Sequence, residues 1–385
     1  MKRNTLLATA IAAALAAPLA AHADTSNVTV YGKFDVSYDF VNTGASAAGT
    51  PGTTSARVSS NTSRFGLKGS EDLGDGLSAI WQVESTVYVG NTANNTAGFG
   101  DRNTFGGLKS DSTGTVLLGR YDTPYRISTR RLDVFTDGVA DNRSLFGGTT
   151  GVSAVKSFDG RQDQVVAYIT PNLGGFNAAA AYVNLNPTLS TGTLGANANT
   201  TAQHAASLAG WYDANGIYVA LAHEIHNLAV TAGTAGTAAA ASATAVNVTE
   251  KATRAGIGYS QESFSLGLAY EKTSDNYGAA NADKFGHNAI YASGKLNLPG
   301  NNALKAAYTK LGNIGNVANT GASQYSVGLD HSFSKRTTVY ALYSKLNNNT
   351  LANYSLSSNG TAGASSSVGA GSSPSVVALG IAHSF

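Results

Sequence analysis

Sixteen segments of this 385-residue chain have the pattern of β-strands, and several of them alternate apolar and polar side chains strictly with a period of two, as strands with one apolar and one polar face do. Other segments, such as residues 285–298 and 337–346, are mixed. In residues 28–40, six even-numbered positions are apolar and five odd-numbered positions are polar. The sixteen segments are residues 27–40, 62–70, 77–89, 102–110, 114–121, 162–170, 175–184, 203–213, 216–226, 250–260, 263–273, 284–298, 302–312, 322–334, 336–347 and 374–385. We therefore predict an all-β fold of sixteen strands.

The connections between these segments alternate in length. Seven are short turns, such as those in SEDLGDG and LPGNN, and eight are long segments, mostly of low complexity. The long ones are residues 41–61, 90–101, 122–161, 185–202, 227–249, 274–283, 313–321 and 348–373. This alternation places both chain ends on the short-turn side and predicts a closed, antiparallel up-and-down β-barrel with long loops on one rim.

Two features favour a transmembrane barrel over a soluble protein. The strands reach ten or more residues, close to the ~9–11 that a tilted strand needs to cross the hydrocarbon core. Several apolar faces also begin or end in an aromatic residue, as at an interfacial girdle; these are Tyr38, Phe40, Trp81, Tyr182, Tyr259, Tyr270, Phe333 and Phe385. Sixteen such strands enclose an interior too wide for side chains to fill, so we predict a water-filled lumen with lipid outside. Two stacked, soluble β-sandwich domains remain the alternative.

The first 23 residues have the features of an export signal. Lys2 and Arg3 precede the apolar run LLATAIAAALAAPLAA, and AHA at residues 21–23 has the small residues of a cleavage site. We expect cleavage of residues 1–23, so that residues 24–385 form a single outer-membrane barrel domain. Loss of two of the 25 basic residues leaves 23 against 23 acidic ones, which argues against a nucleic-acid partner. The chain has no cysteine, so it can form neither disulfides nor thiolate metal sites.

The longest connection, residues 122–161, differs from the other long segments in composition. It carries arginines and aspartates together with Pro and Phe, whereas the others are mostly Ala, Gly, Thr and Asn. A long loop of such composition is more often a functional loop than a flexible linker. We predict that it folds into the barrel and constricts the lumen; a solvated outer loop is the alternative.

If this loop folds inward, its acidic residues would face basic residues of the barrel wall across the narrowest point. The acids are Asp133, Asp137 and Asp141; the basic candidates are Lys33, Arg64 and Lys68 on the polar faces of the first two strands, and Arg120 and Arg161 on either side of the loop. Opposed charges of this kind set the ion preference of a pore. Each arginine could instead pair with a wall carboxylate, such as Asp35, Asp39 or Glu84.

No residue pattern indicates catalysis, and we expect neither an enzyme nor a metal or cofactor site. HEIH at residues 223–226 separates its histidines by three positions, whereas a helical metalloprotease motif needs four. A hydrolase of the outer membrane would need a Ser/His/Asp group, and the sequence singles out none. Substitution of His204, His223 or His226 would test that alternative.

Four motifs carry a family resemblance. They are SRFGLKGSEDLGDGLSAIWQVES from Ser63, GTVLLGRYDTPY from Gly114, GLDHSFSKRTTVYALYS from Gly328 and the C-terminal GIAHSF. Together they resemble the general porins of β-proteobacteria, the trimeric porin family of Gram-negative bacteria, over essentially the whole chain after the signal. The resemblance implies an outer-membrane homotrimer of sixteen-stranded barrels with an inward-folded third loop, through which ions and small hydrophilic solutes diffuse passively.

The resemblance also implies roles for single residues. Arg64 and Arg120 resemble basic wall residues of the family's eyelet. Phe385 resembles the recognition signal for the outer-membrane assembly machinery, which we expect as a partner beside the lipid bilayer and lipopolysaccharide. Ala167 and Ala382 stand where family members often have Arg, so the family's frequent anion preference is in doubt for this chain. A barrel that serves as an adhesin or receptor is the alternative within the same fold.

Overall fold

The computed structural model describes residues 27–89, 98–147, 158–185, 203–231, 245–356, 361–362 and 368–385. The predicted export signal, residues 1–23, lies outside the described residues. Strands make up most of the regular structure, with a four-residue α-helix and short 3-10 turns in the connections. Within these ranges no helix is long and apolar enough to cross a membrane.

The strands follow one another with few other elements between them. They are β1 (Asn27–Asn42), β2 (Thr54–Asn61), β3 (Arg64–Gly74), β4 (Leu77–Thr86), β5 (Thr104–Ser110), β6 (Gly114–Asp122), β7 (Arg161–Ile169), β8 (Phe176–Asn184), β9 (His204–Ala214), β10 (Ile217–Thr231), β11 (Ala245–Ser260), β12 (Phe264–Asp275), β13 (Asn288–Leu298), β14 (Asn302–Leu311), β15 (Ala322–Ser332), β16 (Thr337–Asn348), β17 (Thr361–Ala362) and β18 (Ser375–Ser384). The helix α1 spans Pro124–Ile127, and 3-10 turns span Arg130–Leu132, Asn142–Ser144 and Ala279–Asn281.

These strands form one antiparallel sheet that closes because β18 pairs with β1, from Lys33 opposite Ser384 to Asn42 opposite Ser375. β2 pairs with the C-terminal half of β1 and β3 with its N-terminal half. The two are parts of one strand, interrupted at Thr62, whose φ of 56° lies in the left-handed region. β17 is a two-residue bridge to β2. The barrel therefore has sixteen strands, which confirms the predicted fold class.

Some strands extend further than the sequence pattern predicts. Residues 41–61 are predicted as a loop, but Thr54–Asn61 form β2 against β1. This segment, TSARVSSN, has one large apolar side chain, Val58, so it shows no apolar alternation. Its backbone groups pair with the long β1 all the same, since an unpaired strand edge would leave donors and acceptors unsatisfied.

The barrel is apolar outside and polar inside. In β1, Phe34 and Tyr38 are 43% and 47% exposed. The aspartates that directly follow them, Asp35 and Asp39, are 6% and 0% exposed. The hairpin of β3 and β4 follows the same rule, with Trp81 among the exposed apolar side chains. A soluble sandwich would bury the apolar set instead. The sandwich alternative is therefore wrong, and the outer face is suited to lipid.

A tight turn on the short-connection side joins β3 to β4. Gly74, Asp75 and Gly76 have φ values of 87°, 51° and 73°. Glycine adopts such left-handed conformations without steric cost, and aspartate tolerates them better than most residues. Turns of this hand match the twist of paired strands, which explains the hairpin in SEDLGDG.

The third loop, residues 123–160, connects β6 to β7 and turns into the barrel. Its described parts contact the inner faces of the strands beyond β8. The Tyr125 backbone N–H donates to Ser207 Oγ of β9 (2.9 Å), and Ser293 Oγ of β13 donates to the Leu132 carbonyl (2.6 Å). This path confirms the predicted inward fold of the loop.

Glycines on the inner wall make room for this loop. A Cβ atom at Gly258 of β11 would lie 2.6 Å from Leu132 Cδ2, and one at Gly328 of β15 would lie 2.8 Å from Phe135 Cε1. Real Cβ atoms do not approach so closely, so a larger residue would push the loop off the wall. The glycines of these strands thus let the loop lie directly against the sheet.

Candidate pore constriction

A buried ion network fixes the two ends of the third loop to the wall. Arg254, on the inner face of β11, lies 2.5 Å from Glu271 Oε2 of β12 and 2.7 Å from Asp159 Oδ1 of the loop. Its guanidinium stacks at 4.3 Å on the ring of Tyr125, whose hydroxyl donates to Glu271 (2.6 Å). Because a buried charge without a partner costs several kcal/mol, these four groups depend on one another. Tyr125 near the start of the loop and Asp159 near its end are thereby held together.

Asp133, one of the three predicted loop acids, lies buried against β13. Its carboxylate accepts the N–H groups of Phe135 (2.9 Å) and Asn142 (3.1 Å) and the hydroxyl of Tyr291 (2.8 Å). Burial and the nearby charge of Asp141 raise the pKa of Asp133 to about 6. Asp133 therefore joins two parts of the loop to the wall.

Asp141 is fully buried at the centre of the loop. Its Oδ2 lies 3.1 Å from Arg130 Nη1 and 2.9 Å from Arg143 Nη2, and it accepts the Asp137 N–H (2.8 Å). Burial opposes ionisation, but the two guanidinium groups outweigh it and hold the pKa of Asp141 well below its usual range. Asp141 thus stabilises the turn that presents Asp137.

Asp137 lies at the tip of the loop and contacts the wall at β3. Its Oδ2 is 3.1 Å from Arg64 Nη1, and its Oδ1 is 3.2 Å from Arg130 Nη2. Thr62 Oγ1 donates to the Asp137 carbonyl (3.0 Å). Burial again opposes ionisation, but Arg130 and Arg64 lower the pKa of Asp137 to about 2. The loop, which starts at β6 and contacts β9 and β13, therefore also contacts the wall at β3, three strands away from β6 in the sheet.

On the wall, Arg64 belongs to a cluster around Glu84 of β4. Glu84 Oε1 lies 2.6 Å from Arg102 Nε, and Glu84 Oε2 lies 3.9 Å from Arg64 Nε and accepts the Tyr31 hydroxyl (3.0 Å). Arg102 is a member of this cluster that the sequence analysis missed. The segment around it, DRNTFGGLKS, does not alternate regularly, so a period of two assigns no face to Arg102.

Two lysines flank the loop tip on its other side. Lys33 Nζ lies 2.8 Å from Asp35 Oδ2, and Lys305 Nζ lies 2.9 Å from Asp330 Oδ2. The Lys305 ammonium also lies 4.9 Å from the centre of the Phe135 ring. A cavity of about 250 Å³ lies between the loop tip and the wall, and it is lined by these two ion pairs and by Phe135, among others. The loop tip is thus surrounded by paired charges on both sides.

Comparison with known proteins decides the family. A model of the Gram-negative porin family matches residues 8–351. The chain belongs to the Gram-negative porin family. Outer membrane porin protein 32 of Delftia acidovorans is 26% identical over 403 residues, which cover all of both chains. An anion-selective porin from Comamonas acidovorans has a TM-score of 0.74 at 25% identity, over 94% of this chain and all of that one. The trimer form of OmpT from Vibrio cholerae has the same fold, with a TM-score of 0.62 at 17% identity over 94% of this chain and all of that one.

This porin is therefore an outer-membrane diffusion channel of a Gram-negative bacterium, and its family consists of channels and not of enzymes. The family resemblance, the function and the location predicted from the sequence are confirmed.

The remaining basic residues predicted for the porin's wall have other partners. Lys68 is exposed on the inner face of β3, and its Nζ lies 5.2 Å from the centre of the Tyr31 ring. Arg120 forms an ion pair with Asp163 of β7, and Arg161 Nε lies 3.0 Å from Asp122 Oδ1 at the start of the loop. Arg120 and Arg161 are thus paired at the base of the loop, whereas Arg64 is paired at its tip. The effect of Lys68, Arg120 and Arg161 on permeating ions stays a prediction.

The two histidines of HEIH are placed differently in the porin. His223 Nδ1 lies 2.8 Å from Thr253 Oγ1, whereas His226 is buried with Nδ1 2.6 Å from Glu250 and Nε2 2.7 Å from Glu224. Among the described residues, no group of three or more His, Asp or Glu side chains is arranged to hold a metal ion.

Phe385 completes the seam between the two chain ends. Its backbone N–H donates to the Gly32 carbonyl (3.1 Å) and its carbonyl accepts the Gly32 N–H (3.0 Å). Its ring stacks on Phe34 with the ring centres 5.9 Å apart. A Cβ at Gly32 would lie 2.4 Å from the Phe385 ring, so glycine is needed there for the ring to fit. Recognition of Phe385 by the assembly machinery stays a prediction.

Proposed function

We propose that the loop tip around Asp137 and the wall around Arg64 form the constriction that selects solutes by size and charge. The observation that carries this proposal is the Arg64–Asp137 ion pair at 3.1 Å, because it joins a loop that starts at β6 to the inner face of β3. Fixed charges at the narrowest part of a water-filled pore act on every ion that passes.

We further propose a weak preference for anions. The side chains of Lys33, Arg64, Arg130 and Lys305 are 20%, 25%, 21% and 15% exposed. Among the carboxylates, Asp137 and Asp330 are 20% and 19% exposed, and Asp35 and Glu84 only 9% each. Four cations and two carboxylates therefore present most of the accessible charge at the constriction. The related porin from Comamonas acidovorans is anion-selective, which agrees with this sign.

The reversal potential in a salt gradient across a planar bilayer tests both proposals. We expect Arg64→Ala to shift it toward cation selectivity and Asp137→Asn toward stronger anion selectivity. Each change in the permeability ratio should reach at most about fivefold, since one charge ~4 Å from an ion in water contributes ~1 kcal/mol. Arg336→Ala in the turn after β15 is the control and should leave the potential unchanged. Equal reversal potentials for Arg64→Ala, Asp137→Asn and the unmodified porin would contradict the proposed constriction.

We also propose that this porin is a homotrimer, with its long loops outside the cell and lipopolysaccharide around that rim. An apolar outer groove of about 470 Å³, lined by Val36, Val58, Leu379 and Ile381 among others, supports a protein contact beside the β1–β18 seam. The trimer form of OmpT, which has the same fold, supports this assembly. Its partners are then ions and small hydrophilic solutes inside, lipid outside, and the outer-membrane assembly machinery during insertion.

A further inference from the structure

Three strands end toward the long loops with the same pattern, Tyr-x-Lys. It is YEK at residues 270–272 of β12, YTK at residues 308–310 of β14 and YSK at residues 343–345 of β16. Residues two apart on a strand share a face, so each tyrosine and its lysine point the same way. Tyr270 and Tyr308 are on the outer, apolar face, where they are 44% and 45% exposed. The three lysines therefore point away from the lumen.

These lysines lie just beyond the apolar belt. On β12 the outer face runs from Leu266 and Leu268 through Tyr270 to Lys272, so the side chains change from aliphatic to aromatic to charged. Lys251, exposed on the neighbouring β11, lies opposite Ser274 and extends this row by one strand. The order is that of a barrel wall that leaves the hydrocarbon, passes the aromatic girdle and enters the headgroup region.

The row consists of Lys251, Lys272, Lys310 and Lys345. Adjacent strands are about 4.8 Å apart, so lysines on alternate strands recur about every 10 Å along the rim. Within the described part of the chain none of the four forms an ion pair with a carboxylate, in contrast to Lys33 and Lys305 inside the barrel. The four lysines lie on β11, β12, β14 and β16, within six strands that are contiguous in the sheet, so the row occupies one side of the barrel.

An unpaired lysine on a lipid-facing surface is stable where its stem lies along apolar groups and its ammonium reaches polar headgroups. We propose that this lysine row binds the phosphate groups of phosphorylated glycolipids in the outer leaflet. The proposal rests on the orientation given under the proposed function, with the long loops outside.

The shape of the row favours a lipid headgroup over a free phosphate ion. The four lysines are spread along a convex rim and do not converge on one point, so they present no pocket for a single ion. The tyrosines beneath them have an apolar ring and a polar hydroxyl, which suits the boundary between acyl chains and headgroups. A molecule with acyl chains and more than one phosphate would contact both layers.

Two triple variants, the row variant and a control variant, distinguish loss of the lysine row from loss of net charge alone. Lys251→Gln/Lys272→Gln/Lys310→Gln removes three charges from the row. Lys109→Gln/Lys335→Gln/Arg336→Gln removes three charges at or beside the short turns. The unmodified porin and both variants are delipidated. Each is then titrated with bisphosphorylated lipid A, with the same lipid lacking its phosphates, and with inorganic phosphate. Native mass spectrometry counts the bound lipid.

We expect the unmodified porin to bind bisphosphorylated lipid A more than tenfold tighter than the dephosphorylated lipid. The row variant should bind it about 100-fold more weakly, since each lysine near an anionic surface contributes ~1 kcal/mol, or about fivefold. The control should bind like the unmodified porin. Equal binding by row variant and unmodified porin, equal loss in the control, or displacement of the lipid by equimolar inorganic phosphate would overturn the proposal.

Channel recordings of the same variants test the lysine row and the proposed constriction independently. The row variant should retain the single-channel conductance and reversal potential of the unmodified porin, because its lysines face away from the lumen. If the row variant changes selectivity as Arg64→Ala does, the lysines are pore residues and the lipid proposal fails. If Arg64→Ala and Asp137→Asn have no effect, the proposed constriction fails while the lipid result stands.

Discussion

Asp137 is the loop acid that reaches the basic cluster of the wall, and its titration gives a direct test of that contact. Its pKa of about 2 lies below the usual 3.8 because Arg130 and Arg64 outweigh the effect of burial. A carboxyl with a lowered pKa stabilises the folded loop above pH 3.8, and this contribution is lost as the pH falls through 2. The ion pair with Arg64 should therefore persist through the whole mildly acidic range.

We predict that the difference in reversal potential between the unmodified porin and Asp137→Asn stays constant from pH 7 to pH 4. The difference should shrink only as the pH approaches 2, where both side chains are neutral. Use of a difference cancels the titration of other carboxyl groups. A difference that disappears between pH 6 and pH 4 would mean a raised pKa of Asp137, and one that halves near pH 3.8 would mean an ordinary pKa; either result would mean that Asp137 has no close cationic partners.

The three loop acids also show where sequence analysis reaches its limit at the scale of residues. Asp133, Asp137 and Asp141 look equivalent in the sequence, and we predict all three as pore acids. In the structure Asp133 and Asp141 are 5% and 0% exposed and hold the loop together. Their burial depends on contacts with Tyr291 and Arg143, which no local pattern reveals.

At the scale of elements, the path of the third loop depends on small residues of the strands behind it. Gly256 and Gly258 of β11 leave space for Leu132, and Gly328 leaves space for Phe135. Glycine is usually unfavourable inside a strand. Its presence on these inner faces has a physical reason once the loop is in place, but nothing in the alternation of apolar residues predicts it.

We predict that Gly258→Val moves the third loop away from the wall and lowers the single-channel conductance. The added side chain would overlap Leu132 and cost about 1–3 kcal/mol, as overpacking does. Gly106→Val in β5 is the matched control, because nothing lies within 4 Å of the added Cβ. Both variants should fold, and only the first should change the conductance. An unchanged conductance of folded Gly258→Val would show that the loop does not depend on this contact.

For the whole molecule, the number of strands and the closure of the barrel could be predicted because they follow from repeated local patterns. Period-two alternation defines strands, and alternating short and long connections define an up-and-down order. β2 could not be found in this way because TSARVSSN does not alternate. The contacts that fix the constriction join residues far apart in sequence, such as Arg254 with Asp159 and Arg64 with Asp137, so they follow only from the assembled barrel.

The central claim is that the loop tip stands at the narrowest point of the channel. The chain contains no cysteine, so Asp137→Cys gives a single reactive thiol. A bulky cationic methanethiosulfonate reagent, added while single channels are recorded, should lower the conductance in discrete steps and shift the reversal potential toward anions. Lys335→Cys in a short turn, labelled to the same extent, should leave both quantities unchanged. Complete labelling of Asp137→Cys with unchanged conductance and reversal potential would contradict the account.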